Sequence, residues 1–205
     1  MSALDDAPLV HADDRAAWRA WLEANHAGTR GAWLVLWRPR SAKARSGPAV
    51  LDYEGAVEEA LCFGWVDSTG GAIDDERTRL YFAPRKPRSG WAATNKARIE
   101  RLMADGLMAP AGLAAIERAK ANGSWEILDS VERLEVPSDL AAALAGLPAA
   151  APNFAAFPPS TRKGMLAWVA FAVRPETRAE RVRRIAEAAA RNERAPAEAI
   201  GGPRA

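Results

Sequence analysis

Residues 65–84 read WVDSTGGAIDDERTRLYFAP. Two runs of alternating apolar side chains flank the acidic turn Asp74-Asp75-Glu76, which is the pattern of a β-hairpin. Pro84 and Pro87 end the second strand, because proline has no N–H to give to a ladder. Toward the N-terminus, Asp52 opens DYEGAVEEALCF, a helix with Val57, Ala60 and Leu61 facing inward and Gly64 suited to its C-terminal cap. Residues 32–38, AWLVLWR, read as a strand buried on both faces. Residues 13–25, DDRAAWRAWLEAN, read as an amphipathic helix capped by Asp13 or Asp14, with Trp18, Trp21 and Leu22 at helical spacing.

Beyond the hairpin, Ser89 is placed to cap a helix over 90–105 that stops at Gly106, and a further helix covers 110–122. An irregular connection over 123–139 comes next, then a helix near 138–146 and the proline-rich stretch 148–159. Helices cover 161–173 and the stretch from the capping box Thr177-x-x-Glu180 to Arg194, with Val182, Ile185, Ala186 and Ala189 on one face. The order predicts an α+β fold: a small, mostly antiparallel sheet of one strand plus a β-hairpin, packed with helices and followed by an all-helical C-terminal part. The expected division is an α+β domain over 10–123, a connection with one helix over 124–160 and a helical part over 161–195.

The chain has 205 residues, 49% of them hydrophobic and 26% charged, which is globular composition. Eight tryptophans point to an indole-rich core. The single Cys62 excludes an internal disulfide framework and fits a reducing compartment. The N-terminal MSALDDAPLVHADD is acidic and lacks the apolar core of a signal peptide. The uncharged run 140–158 is mostly alanine and is broken by Pro148 and Pro152, so it reads as a helix and linker and not as a membrane span. A cytoplasmic protein with no membrane insertion is expected.

Charge is unevenly spread. Residues 77–101 carry eight basic residues against the one acid Glu100, in a chain whose net charge is +2. With Ser89 as cap, the N–H groups of Gly90, Trp91 and Ala92 would face outward at the positive end of a helix dipole. Arg85 and Arg88 would clamp a phosphate or carboxylate, Trp91 would stack on a ring, and Asn95 and Lys96 would add donors. Asp67 is either a carboxylate acid/base or the ion-pair partner of Arg85 or Arg88, and pairing is the better reading because no second catalytic group lies at a definable distance. The plainer alternative pairs these cations with Glu54, Glu58 and Glu59 or with Asp74-Asp75-Glu76 and leaves Trp91 as core, and is preferred for Lys86 and Arg98. Cys62 lies late in a helix, where the dipole disfavours a thiolate, and reads as a structural thiol. His11 and His26 have no ligand partners at metal spacing, and no phosphate-binding glycine loop is present, so no metal and no cofactor are expected.

The segments DRAAWRAWLEANHAGTRGAWLVLWR, YEGAVEEALCFGWVDS, RLYFAPRKPRSGWAATNK, MAPAGLAAIERAKANGSW and RPETRAERVRRI resemble, in order, the bacterial YdeI/OmpD-associated family, also described as bacteriocin-protection proteins. The resemblance runs from about residue 12 to about residue 195. It implies a link to outer-membrane porins and to tolerance of cationic antimicrobial peptides, and brings no defined biochemical activity. Ala83 stands where members often carry threonine, Ala92 where a serine usually follows the tryptophan, and Phe171-Ala172-Val173 replaces the usual run before RPETR. The first two departures remove hydroxyls near the candidate site.

Residues 160–195 hold nine basic and four acidic residues, and residues 1–76 hold thirteen acids expected to pair with them. The favoured reading is a protein that binds a small anionic or polar ligand at the hairpin-to-helix junction and acts in stress or antimicrobial-peptide tolerance. Two alternatives are nucleic-acid binding through 77–101 and 174–194, and an enzyme acting on an anionic substrate with Asp67 as acid/base.

Overall fold

The computed structural model of the chain describes residues 4, 6–44 and 50–195. The chain divides into two compact units, one of Met1–Ser89 with Thr94–Asn122 and one of Gly90–Ala93 with Gly123–Ala205.

The first unit holds β1 (Leu9–His11), α1 (Arg15–Asn25), β2 (Ala32–Trp37), α2 (Tyr53–Cys62), β3 (Trp65–Ala72) and β4 (Arg77–Pro84). It continues with α3 (Ala93–Ala104), from Thr94 on, and α4 (Pro110–Ala121). The sheet order is β1-β2-β4-β3. The hairpin β3–β4 and the pair β2–β4 are antiparallel, as the alternation predicts. The short β1 adds a parallel edge that the sequence reading lacks, since three residues carry too little periodicity to register. The Asp74 carboxylate closes the hairpin by accepting from the N–H of Glu76 and Arg77 at 3.0 and 2.7 Å. Ser68 and Thr69 lie at a register shift between Asp67 and Gly70, so β3 bends there.

Register sorts the two faces of the sheet. Ala32, Leu34 and Leu36 stand opposite Phe82, Leu80 and Thr78, and the helices cover this face. Trp18 of α1 stacks on Trp21 at 5.2 Å and lies 5.5 Å from Phe82, while its indole N–H donates to the Ala56 carbonyl of α2 at 3.1 Å. The other face carries Trp33 and Trp37, with the guanidiniums of Arg79 and Arg77 over them at 4.3 and 5.9 Å. Asp14 caps α1 and Asp52 caps α2. Gly64 follows α2 at φ +73, and a Cβ there would stand 2.9 Å from that of Ala115, so both conformation and packing require glycine.

The second unit is all-helical among the described residues: α5 (Asp129–Glu132), α6 (Ser138–Ala145), α7 (Ala150–Ala156), α8 (Pro159–Ala170) and α9 (Pro175–Ala190). Leu140, Phe154, Met165, Val169 and Ile185 share one core. The sequence reading places one helix between 124 and 160, and the structure places α5, α6 and α7 there. The short α5 carries too little periodicity to register, and prolines account for α7 and for the starts of α8 and α9. Pro152 sits in the first turn of α7, and Pro159 and Pro175 begin α8 and α9, where a missing N–H costs no hydrogen bond. For the same reason α9 starts before Thr177, and its cap residue is Arg174 in place of the expected capping box. No described helix is long and apolar enough to cross a membrane.

The acids expected from residues 1–76 to balance α9 are instead local. Arg178 pairs with Asp139, Arg183 with Glu180 and Glu187, and Arg191 with Glu193. Arg181 and Arg184 lie over the Trp168 ring at 5.2 and 5.4 Å. Three- and four-residue spacing on α9 supplies both partners of Arg183, and α6 of the same unit supplies that of Arg178.

Candidate functional site

The expected anion site required a helix starting at Ser89, and α3 starts at Ala93. The Ser89 hydroxyl donates to the Lys86 carbonyl at 2.9 Å, so it closes a turn and caps no helix. The backbone N–H of Ala93 faces a carboxylate of the chain itself, Glu132 Oε1 at 3.5 Å, and Glu132 also pairs with Lys163. Trp91 is 2% exposed and lies 5.1 Å from Trp125 in the second unit. Its ring is core and is not available to stack on a ligand. Arg88 is exposed and Lys96 half-buried.

What the first unit does bring together centres on Asp67. The residue lies on β3 beside the register shift, paired with Phe82 and therefore on the helix-covered face. The hydroxyl of Tyr53, the first residue of α2, donates to Asp67 Oδ2 at 3.1 Å. Burial pushes the Tyr53 phenol above its ordinary range, and the Asp67 charge and hydrogen bond push it the same way. Arg85 enters from the end of β4, anchored by its backbone N–H on the Gly64 carbonyl at 3.0 Å. Burial pulls the Arg85 guanidinium down to about 10, against the opposing attraction of Asp67. It remains a cation at neutral pH, held well out of water.

A second group stands beside this one. Arg98 of α3 donates to both oxygens of Glu54 at 2.8 and 2.6 Å and to Asn95 Oδ1 at 2.8 Å. Its hydrogen bonds hold the Glu54 carboxyl below the usual carboxylate range. Arg101 reaches Glu58 at 2.9 Å. Arg15 and Arg19 close on the buried Glu59, with Arg15 also on Glu58. The helix α2 is thus an acidic rail that takes up Arg98 and Arg101 from the basic stretch, the pairing that sequence reasoning preferred for Arg98.

Asp67 and Arg85 are therefore drawn together, Asn95 is tied to Arg98, and Ser89 and Trp91 serve the fold. Tyr53 was missed. Its only sequence signal is a tyrosine directly after a capping aspartate, and no spacing links it to Asp67. Cys62 is fully buried, and burial followed by the nearby Glu59 charge raises its thiol, which removes it as a nucleophile. Among the described residues no group of three or more His, Cys, Asp or Glu could hold a metal ion.

Comparison with known families divides the chain similarly. Residues 10–115 match a family model described as a domain of unknown function, DUF8412. Residues 133–192 match the model described as bacteriocin-protection, YdeI or OmpD-associated. The resemblance read along the whole chain therefore rests, for that family's own model, on the helical part alone. No curated protein and no solved structure matches the chain.

Proposed function

Because this chain belongs to the DUF8412 family over its first half and to the bacteriocin-protection, YdeI or OmpD-associated family over its helical part, we propose that it is a ligand-binding protein of stress or antimicrobial-peptide tolerance. In this reading the first unit binds a small anionic or polar ligand at Tyr53, Asp67 and Arg85. The observation that carries the reading is the Asp67 carboxylate, which accepts from the Tyr53 hydroxyl at 3.1 Å and attracts the half-buried Arg85 guanidinium. A half-buried guanidinium suits an anionic group on a small ligand, and the second Asp67 oxygen and the Tyr53 phenolic oxygen offer acceptors for a polar hydrogen on the same ligand.

In this reading Asp67 positions Arg85 and the ligand, with its Oδ2 fixed by the hydrogen bond from Tyr53. The alternative of nucleic-acid binding through 174–194 is disfavoured by the engagement of Arg178, Arg183 and Arg191 with carboxylates and of Arg181 and Arg184 with Trp168.

The test is a thermal melt with phosphate, sulfate or a nucleotide added. A ligand that prefers the folded state raises the melting temperature by mass action. Arg85→Gln should remove most of that gain and Arg191→Ala should leave it intact. Equal loss from both changes would mean diffuse charge attraction, and the junction would no longer be a site.

A further inference from the structure

The helix-covered face of the sheet is not covered from end to end. The eight residues of β4 span about 26 Å. The ten residues of α2 span about 15 Å. At the end where Leu36 pairs with Thr78, and Thr78 with Ala72, the uncovered sheet becomes the floor of a cavity of about 700 Å³. Leu36 and Leu80 make the floor apolar, and Leu51 and Tyr53 at the start of α2 form a wall. The third strand contributes Gly70, where a Cβ would stand 3.5 Å from the Leu80 side chain and narrow the floor. The volume lies within the range of small-molecule sites, and the lining has the usual make-up of apolar walls with few polar groups.

Those polar groups are unequal. Asp52 is committed, because its Oδ1 accepts from the Gly55 N–H at 2.8 Å as the cap of α2. The guanidinium of Arg79 lies over Trp33 on the opposite face. Arg38 is different. Its Nε–H is a buried donor, and no group among the described residues accepts from it. That atom is closed to water and to a ligand alike, but the outer N–H groups of the same guanidinium, on a residue that lines the cavity, carry the charge and favour an anionic acceptor.

We propose that this cavity binds a small organic carboxylate with an apolar body, its carboxylate accepting from Arg38 and its aliphatic or aromatic part lying on Leu36 and Leu80. The site is separate from the Tyr53–Asp67–Arg85 cluster, touching it only through Tyr53, and does not depend on the function proposed there. It selects for the acid by charge and for chain or ring size by the apolar floor, so acetate should not fill it.

Methyl-labelled leucines read the site directly. Hexanoate or benzoate titrated into the whole chain should shift the Leu36 and Leu80 methyl resonances saturably, while acetate should not. The matching alcohols, hexanol or benzyl alcohol, should bind at least about tenfold more weakly, the size of one lost charge-assisted hydrogen bond. Arg38→Gln should reduce the affinity for the acid to that for the alcohol, and Arg38→Lys should restore part of it. Arg85→Gln should leave the titration unchanged, so failure here and failure of the junction site are read separately. The proposal is overturned if no acid gives saturable shifts, if alcohol and acid bind equally, or if a folded Arg38→Gln protein binds the acid as tightly as the parent.

Discussion

Replacing Glu59 by alanine tests whether α2 is held to the rest of the first unit by charge. Glu59 is 5% exposed, and its two oxygens accept from Arg15 Nε and Nη2 at 3.0 and 2.8 Å and from Arg19 Nη1 at 2.9 Å. Hydrogen bonds to a charged acceptor contribute about 1.5–3 kcal/mol each, so three would sum to roughly 5–9 kcal/mol if they were independent. They are not independent. The Arg15 and Arg19 side chains are 45% and 29% exposed and regain water when the carboxylate goes. Arg15 also keeps Glu58, and Arg19 keeps the Leu107 carbonyl. The expected cost of Glu59→Ala is therefore about 3 kcal/mol, at the low end for removing one member of a buried pair.

Urea unfolding at neutral pH measures that cost, and a cycle with Arg19→Met isolates the pair, with an expected coupling of about 1–2 kcal/mol. The effect should change little with salt, because a buried pair is poorly screened. A loss below about 0.5 kcal/mol, or one that vanishes in high salt, would show that solvation of the arginines does the stabilising and that Glu59 is only tolerated.

Two further expectations concern titration and the thiol. Arg98 depresses the Glu54 carboxyl below its ordinary 4.5, so the stability it confers is complete above that value and is lost as pH falls through the lower folded value; Arg98→Met should flatten the unfolding free energy against pH below 4.5, and an unchanged acid limb would contradict the pairing. Cys62 should react slowly with a thiol reagent in the native protein and rapidly in urea, and fast native labelling would contradict its burial.

The first unit was legible because its signals are local. Alternation on both sides of an acidic turn specifies a hairpin, and Asp14 and Asp52 cap α1 and α2 where a short acidic side chain precedes an apolar run. Ser89 misled because a serine before a helix is as well suited to a turn, and its hydroxyl went to the Lys86 carbonyl. The helical unit was only partly legible because proline both begins and breaks helices, and sequence alone does not say which turn it occupies. Tyr53 and Arg38 were invisible for a different reason. Tyr53 matters through Asp67 on β3, and Arg38 through a cavity left where a short helix meets longer strands. Such features belong to register and relative length, which no local pattern encodes.

The fate of the basic stretch 77–101 bears directly on function. Counted along the chain it is a strong positive field, but the fold distributes it. Arg77 closes the hairpin on Asp74, Arg98 and Arg101 settle on α2, and Arg79 lies over Trp33. Arg85 is drawn inward, and Lys86 and Arg88 stay exposed in the loop. A phosphate backbone requires many exposed cations in a row, and this distribution breaks such a row into short-range pairs. A small ligand requires only one or two cations removed from water beside fixed donors and acceptors, and Arg85 with Asp67 and Tyr53 has that form. The same pairing that weighs against a nucleic-acid surface thus favours the proposed site of molecular size.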